Sequence, residues 1–254
     1  MDEATTEDRL LGGRVRLRQP SSGFRTSIDA VLLAAAVAAV DGETVLDVGS
    51  GTGAAALCLA TRLQGVQVTG IEADWALVRL ASDNAEESGL SARCRFYLGD
   101  LLAPPVRLSP ASFDHVMANP PFLPEGSGRP PRHSGRTQAM VEGEVTLSGW
   151  LDFCLRMVRQ GGTVTVIHRA DRLDELLGGL TGRLGALVVL PLWPRSGKPA
   201  KRVIVAGRKG SGAPLSLLPG LVLHQSDGRY TPIAESVLRG GEGIDLAAQP
   251  GQHP

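Results

Sequence analysis

The consecutive residues Asn119, Pro120, Pro121 and Phe122 have the types and order needed to hold a flat amine. They follow an apolar segment, 113–118, that predicts a buried parallel strand. Neither proline has an N–H to donate, so the strand must end at the edge where open α/β sheets bind ligands. The Asn119 amide oxygen and a proline carbonyl could accept both hydrogens of an NH2 group while the aromatic ring stacks on a base. A proline-stiffened loop with no chemical role is the competing interpretation.

A glycine-rich turn containing Gly49, Gly51 and Gly53 joins a predicted strand to a predicted helix. Such glycines allow positive φ and close approach of a ligand, and the helix N-terminus offers free N–H groups. The spacing also resembles a dinucleotide fingerprint, but the third glycine comes two residues after the second rather than three, and no Lys or Arg lies near the turn. Asp47, at the strand end, suits a cationic amino group, either directly or through water.

Two more acids, Glu72 and Asp100, follow the next two predicted strands. Glu72 could accept both hydroxyls of a ribose, and Asp100 could accept from the exocyclic amine of an adenine. Either acid alone would more commonly cap a helix. Three acids at the ends of three successive strands, around a glycine turn, instead outline a pocket for an adenosine that carries an amino-acid tail.

Several segments also resemble a known family. DVGSGTG, GIEAD, GDLL and NPPF resemble the class I S-adenosylmethionine-dependent methyltransferases, in the branch that methylates planar amines. LGGRVRLRQPSSGFRTSIDAVLLAAA, PLWPRSGKPAKRVIVAGRKG and LVLHQSDGRYTPIAESVLR are similar to the bacterial tRNA1(Val) adenine-37 N6-methyltransferase family. The resemblance covers nearly everything after the first ten residues. It implies S-adenosyl-L-methionine as the cofactor, tRNA as the substrate and N6-methylation of an adenine as the reaction.

The resemblance also implies a role for each matching position. Thr26 and Asp29 would face the methionine end of the cofactor, and Asp47, Gly49, Gly51 and Gly53 would hold its amino-acid portion. Glu72 would bind the ribose, Asp100 and Leu101 the adenine, and Asn119, Pro120, Pro121 and Phe122 the target base, with Asn119 also beside the cofactor. Residues 136–142 replace the Arg/His-Glu run expected in the lid, so the resemblance does not assign which lid residues touch RNA.

The alternation of strands and helices predicts an α/β, Rossmann-like class I methyltransferase fold with a seven-stranded, mostly parallel sheet and helices on both faces. We expect an N-terminal segment at 1–43 (an edge strand and a cofactor-covering helix), a methyltransferase domain at 44–209, and a C-terminal hairpin and short helix at 210–254. The predicted strands are 44–48, 66–72, 93–99, 113–118, 163–168, 186–192 and 202–208. The predicted helices are 52–63, 74–88, 147–159 and 170–180, and the first ten residues are expected to be disordered.

Composition narrows the function classes. The 254 residues carry no net charge, yet residues 129–209 hold 14 basic and six acidic groups, a net +8. This uneven distribution favours a polyanion-facing surface over a merely solvated one.

The three cysteines, Cys58, Cys94 and Cys154, lie in apolar surroundings without metal spacing and fit a reduced cytosol. No metal is expected. The start is unlike a signal peptide and no segment could span a bilayer, so we expect a cytoplasmic protein, monomeric or weakly dimeric, without a membrane or an obligate protein partner.

The expected reaction is an in-line displacement at a sulfonium methyl, which depends mainly on positioning. His115 is interpreted as structural, whereas His168 and Arg169 could approach RNA. The predicted RNA surface consists of Arg14, Arg16, Arg18, the loop Arg129–Arg136, Arg195, Lys198, Lys201 and Arg202. Two alternatives remain: a glutamine N5-methyltransferase acting on a protein, because a side-chain amide would fit the same geometry, and a non-catalytic cofactor-binding subunit.

Overall fold

The computed structural model describes residues 5–22, 25–102, 108–122 and 145–247. The basic loop Arg129–Arg136 and the lid segment 136–142 lie outside these residues. Within the described ranges, no helix is long and apolar enough to cross a membrane.

One large sheet forms the centre of the fold. In order across the sheet, its main strands are β8 Leu184–Arg195, β9 Arg202–Lys209, β7 Val158–Arg169, β6 Phe113–Ala118, β3 Thr44–Val48, β4 Gln67–Glu72 and β5 Cys94–Leu98. Adjacent strands among β7, β6, β3, β4 and β5 are parallel, and β9 runs antiparallel to both β7 and β8. The mostly parallel, Rossmann-like class I sheet is therefore confirmed.

The strand count differs from the prediction: the described sheet has nine strands rather than seven. The two additional strands, β10 Ser216–Leu217 and β11 Leu221–His224, both pair in parallel with β8. They cover an edge whose backbone groups would otherwise be unpaired. The predicted C-terminal hairpin is reduced to one antiparallel bridge, His224 to Tyr230, because β11 makes its ladder with β8 instead.

Helices cover both faces of this sheet and bury two apolar clusters against it. They are α1 Ile28–Ala36, α2 Ala54–Arg62, α3 Trp75–Glu87, α4 Leu147–Met157, α5 Leu173–Leu180 and α6 Pro232–Glu235, the last continued by a π-helical turn at Ser236–Gly240. All three cysteines are buried and unpaired. Burial raises the pKa of each thiol to about 12, so they behave as small apolar core residues.

The N-terminus forms an element that the sequence pattern did not predict. Residues Thr5–Leu10 form strand β1, which pairs antiparallel with β2, Val15–Pro20. The expected disorder of the first ten residues is therefore wrong from Thr5 onward. The Gln19 amide links the hairpin to the next segment, because its Nε2 donates to Asp8 (2.6 Å) and its Oε1 accepts from the N–H of Thr26 (2.7 Å). The hairpin thus positions the segment that leads into α1.

The arginines of β2 alternate outward as predicted, while Val15, Leu17 and Gln19 are buried. Arg18 of this strand has a partner within the protein, and so does Arg14, which immediately precedes the strand. Arg14 donates from Nε to the carbonyl of Leu11 at 3.0 Å, and Arg18 pairs with Glu87. Their roles in an RNA surface stay predictions.

Candidate active site

The glycine turn follows β3 and leads into α2. Gly49, Gly51 and Gly53 have φ values of 68°, 54° and 86°, which disfavour any residue with a Cβ. A Cβ on Gly49 would lie 2.3 Å from the Trp150 ring, and one on Gly53 would lie 2.8 Å from the Phe96 ring. A Cβ on Gly51 would meet no described atom within 4 Å. The first and third glycines are therefore closely packed, whereas the middle one borders open space.

Asp47 lies at the carboxyl end of β3 and is buried. Among the described residues, its carboxylate accepts one hydrogen bond, from the N–H of Ala56 in the first turn of α2 (3.2 Å). Burial raises the pKa of Asp47 from 3.8 to about 7, and the nearby Glu72 carboxylate adds to this rise. The hydrogen bond from Ala56 acts in the opposite direction but is outweighed. A cationic group placed beside Asp47 would favour the ionised carboxylate.

Glu72 ends β4 and reaches the glycine turn. Its carboxylate accepts from the N–H groups of Gly51 (2.9 Å), Ala73 (2.8 Å) and Asp74 (3.1 Å). Burial raises its pKa despite these three donors. Because a carboxylate has about four lone-pair sites, Glu72 keeps capacity for another donor such as a hydroxyl.

Asp100 and Leu101 follow β5 in an exposed turn, in which Asp100 Oδ1 accepts from the N–H of Leu102 at 2.9 Å. The turn that follows β6 lies beside the glycine turn that follows β3, because these two strands are neighbours in the sheet. Val48 and Ala118 are register partners, so Gly49 and Asn119 leave the sheet side by side. Glu72 and Leu98 are likewise register partners. The predicted residues that follow β3, β4, β5 and β6 therefore share one edge of the sheet.

Asn119 Oδ1 is inaccessible to solvent and accepts no hydrogen bond from any described residue. Buried acceptors without a donor are uncommon because their desolvation is uncompensated. The hydroxyl oxygens of Ser50 and Thr52, in the glycine turn, have the same status. The Pro121 carbonyl, by contrast, is bonded to His168 Nε2 at 3.1 Å. Both turns therefore contain unmet hydrogen-bonding capacity among the described residues.

Phe122 is buried, with its ring held on two sides. The guanidinium of Arg202 lies over one face, with Cζ 4.4 Å from the ring centroid. The His168 ring packs at 89° to it, with centroids 5.5 Å apart. Arg202 in turn donates from Nε to Asp29 Oδ2 at 2.9 Å. Asp29, predicted to face the cofactor, therefore has a protein cation as its partner.

Three residues of this edge were missed or misplaced by sequence reasoning. Trp150 on α4 contacts the Gly49 turn, although nothing in its local pattern signals this. His168 is fully buried against the Asn119–Phe122 turn, so the expectation that it approaches RNA is wrong. Arg202, expected on the RNA surface, packs on Phe122. His115 bonds Thr163 (2.6 Å) and Glu43 (2.8 Å), in agreement with a structural role.

The residues present fit an adenosylmethionine. A buried carboxylate with a raised pKa suits the ammonium group, the open side of Gly51 admits close approach, and Glu72 keeps acceptor capacity for a ribose. The fit rests on donors and acceptors of these described residues alone. The individual contacts assigned to Thr26, Asp29, Asp47, Glu72, Asp100, Leu101 and Asn119 stay predictions.

Comparison with known proteins bears on this site. Residues 25–136 match the family described as Methyltransferase small domain, which spans the glycine turn and the Asn119–Phe122 turn. Together with the sheet order, this match supports a methyltransferase of class I fold. Its cofactor, as predicted, is S-adenosylmethionine.

The resemblance to the tRNA1(Val) family is also confirmed. The methyltransferase is 26% identical over 219 residues to the tRNA1(Val) (adenine(37)-N6)-methyltransferase of Actinobacillus succinogenes, covering 86% of this chain and 90% of that protein. It is 29% identical to the protein of the same name from Proteus mirabilis over 218 residues, covering 82% and 83% of the two chains.

Solved structures agree with the fold. A predicted O-methyltransferase, Atu636 from Agrobacterium tumefaciens, superposes with a TM-score of 0.72 at 25% identity, covering 87% of this methyltransferase and all of that chain. The tRNA (m1A58) methyltransferase TrmI of Aquifex aeolicus superposes with a TM-score of 0.54 at 15% identity, covering 76% of this chain and 72% of TrmI. The second likeness shows the shared fold only.

Proposed function

We propose that this methyltransferase transfers a methyl group to N6 of an adenine in tRNA, with position 37 of tRNA-Val as the first candidate from the names of its relatives. The observation that carries the proposal is the buried Asn119 Oδ1, which has no donor among the described residues and lies in one turn with a buried aromatic ring. An exocyclic amine supplies the missing donor, and a flat base supplies a partner for the ring.

The bound cofactor supplies an electrophilic methyl group. The chain's part is to position the amine and to localise its lone pair, which is otherwise delocalised into the ring. Asn119 Oδ1 and the Pro120 carbonyl would accept the two N6 hydrogens, an interaction that strengthens as positive charge develops on nitrogen. The Pro120 carbonyl accepts no hydrogen bond from the described residues, unlike that of Pro121.

Phe122 would stack on an adenine turned out of its strand. The surrounding charge favours a nucleic acid over a protein as the carrier of that amine. Arg195, Lys198 and Lys201 are exposed in the turn between β8 and β9. That turn lies at the same end of β7 as His168, because Arg169 and Arg202 are register partners. It therefore places three positive groups near the Asn119–Phe122 turn, where phosphates would pass.

The test is a methyl-transfer assay with radiolabelled cofactor on total tRNA and, separately, on total protein, followed by nucleoside analysis of the labelled RNA. We expect label in N6-methyladenosine, with a rate that falls steeply as salt is raised because phosphate contacts release counterions. Label in protein glutamine and none in RNA would contradict the proposal. So would label in tRNA at another atom or base.

A further inference from the structure

We infer that Arg202, anchored by Asp29, is a positioning residue that holds the Phe122 ring for base stacking. The inference rests on the proposed function, because the stacked group is the adenine proposed above. It assigns Arg202 to the interior of the site rather than to the RNA-facing surface.

Charge and geometry support this assignment. Asp29 is 4% exposed, and its Oδ2 accepts from Arg202 Nε at 2.9 Å. A buried carboxylate needs a charged or hydrogen-bonding partner, so this contact fixes where the guanidinium lies. With Nε held by Asp29, the planar guanidinium covers one face of Phe122, 4.4 Å from the ring centroid. Arginine is suited to this because it can stack and donate at once.

The ring edge is fixed by a second contact. His168 packs edge-on against Phe122 and bonds the carbonyl of the preceding Pro121. The turn is thus held from β7 and the ring from β9, two neighbouring strands of the sheet. With one face occupied by Arg202, a base would stack on the other face. A cation on the far side of the ring would not compete with the base for that face.

The network also connects two parts of the site that are distant in sequence. Asp29 lies in the first turn of α1, in the segment predicted to border the cofactor, and Arg202 lies 173 residues further along the chain. Loss of the pair would therefore affect the base-stacking ring without removing any group of the glycine turn.

Arg202→Lys is the central variant. Lysine keeps a positive charge for Asp29 but has no planar group to stack on the ring, so folding should survive. Arg202→Met alone would leave Asp29 buried and unpaired. The double variant Asp29→Asn/Arg202→Met is therefore used, because it removes both charges together. Arg208→Met is the matched control, since it deletes an equal charge from the same strand where the side chain bonds the Gly161 carbonyl instead.

The first readout is fluorine NMR of the cofactor-free full chain labelled with 4-fluorophenylalanine. The chain has five phenylalanines, and Phe122→Tyr identifies one resonance by its loss. We expect that resonance to shift or broaden in Arg202→Lys and in the double variant, and to stay unchanged in Arg208→Met. A Phe122 resonance that is unchanged in both Arg202→Lys and the double variant would overturn the inference.

The second readout is steady-state methylation of tRNA. We expect kcat/KM to fall about tenfold in Arg202→Lys, because lysine lacks the planar guanidinium that stacks on the ring, while the cofactor Kd changes by less than about twofold. A gain in kcat/KM would show that the guanidinium occupies the base's place and would overturn the inference. Wild-type protein that methylates no RNA would defeat the proposed function, whereas the fluorine result would still decide whether Arg202 holds the ring.

Discussion

The amino ends of the central strands (the amino edge) and their carboxyl ends (the carboxyl edge) differ in how completely their polar groups are hydrogen-bonded within the protein. At the amino edge, Asp114 accepts from the N–H and hydroxyl of Thr44, both at 2.8 Å, and from Arg159 Nε at 2.6 Å. Although partial burial alone would raise its pKa, these donors lower it to about 2. At the carboxyl edge, burial dominates and raises the pKa of Asp47 to about 7. One edge is satisfied by the protein itself, whereas the other has capacity left for a ligand.

The difference teaches which polar residues to examine for function. A group with all its partners supplied by the fold stabilises the fold, whereas a buried group without them needs a ligand to complete it. His115 illustrates the first case, with both ring nitrogens bonded at the amino edge. Asn119, four residues further along β6 and its following turn, illustrates the second.

The largest effect is expected from Asn119→Ala. Removing an acceptor that acts in the transition state should lower kcat about 100-fold or more, while cofactor binding and the melting temperature stay close to wild type. Single-turnover methyl transfer, calorimetric titration with cofactor and thermal unfolding measure the three quantities. Methyl transfer at the wild-type rate would refute the role of Asn119.

Asp114→Asn should have the converse effect at the amino edge. Loss of the charge that pairs with Arg159 should lower the free energy of unfolding by about 1–3 kcal/mol and leave kcat unchanged. The folded pKa lies below the unfolded value, so wild-type Asp114 contributes its full stabilisation above about pH 4 and loses it as the pH falls towards 2. Urea unfolding at neutral pH measures the change. A drop in kcat without a drop in stability would contradict the comparison.

The raised pKa of Asp47 predicts a pH dependence of folding stability that is opposite in sign to that of Asp114. The folded pKa of Asp47 is above its unfolded value of 3.8, so the cofactor-free protein binds more protons than the unfolded chain between pH 3.8 and about 7. Its stability should therefore decrease as the pH rises through that range. Since the cofactor's ammonium group favours the ionised carboxylate, the stabilisation by cofactor should increase between about pH 6 and about pH 8.

Thermal unfolding across this pH range, with and without cofactor, measures both trends. Asp47→Asn should flatten both and weaken cofactor binding about tenfold. If the variant keeps the wild-type pH dependence, another group is responsible. Glu72 is the first to examine, because burial also raises its pKa.

The sequence predicted the strands that position the site because the signals for their ends are local. Apolar runs followed by glycine, acid or proline located the ends of β3, β4 and β6 within a residue or two. It missed β1 because Thr5–Leu10 is polar and is held through contacts made by Gln19 and Arg25 from later in the chain. It also did not predict that Arg202 contacts Asp29 and Phe122, since neither residue is near it in sequence. Contacts that depend on tertiary packing leave no local pattern to read.

The smallest and most closely matched test compares two glycines. Gly42 and Gly51 have φ values of 88° and 54°, and a Cβ on either would meet no described atom within 4 Å. Alanine at each should therefore lower the free energy of unfolding by a similar amount, about 1 kcal/mol, from backbone strain alone. Because Gly42 precedes β3 at the amino edge and Gly51 borders the cofactor side, only Gly51→Ala should raise the cofactor Kd, by about threefold to tenfold. Calorimetric titration and chemical unfolding of both variants measure this. Equal Kd values would mean that the ligand does not approach the glycine turn, and the contrast between the two edges would then rest on Asp47 and Asn119 alone.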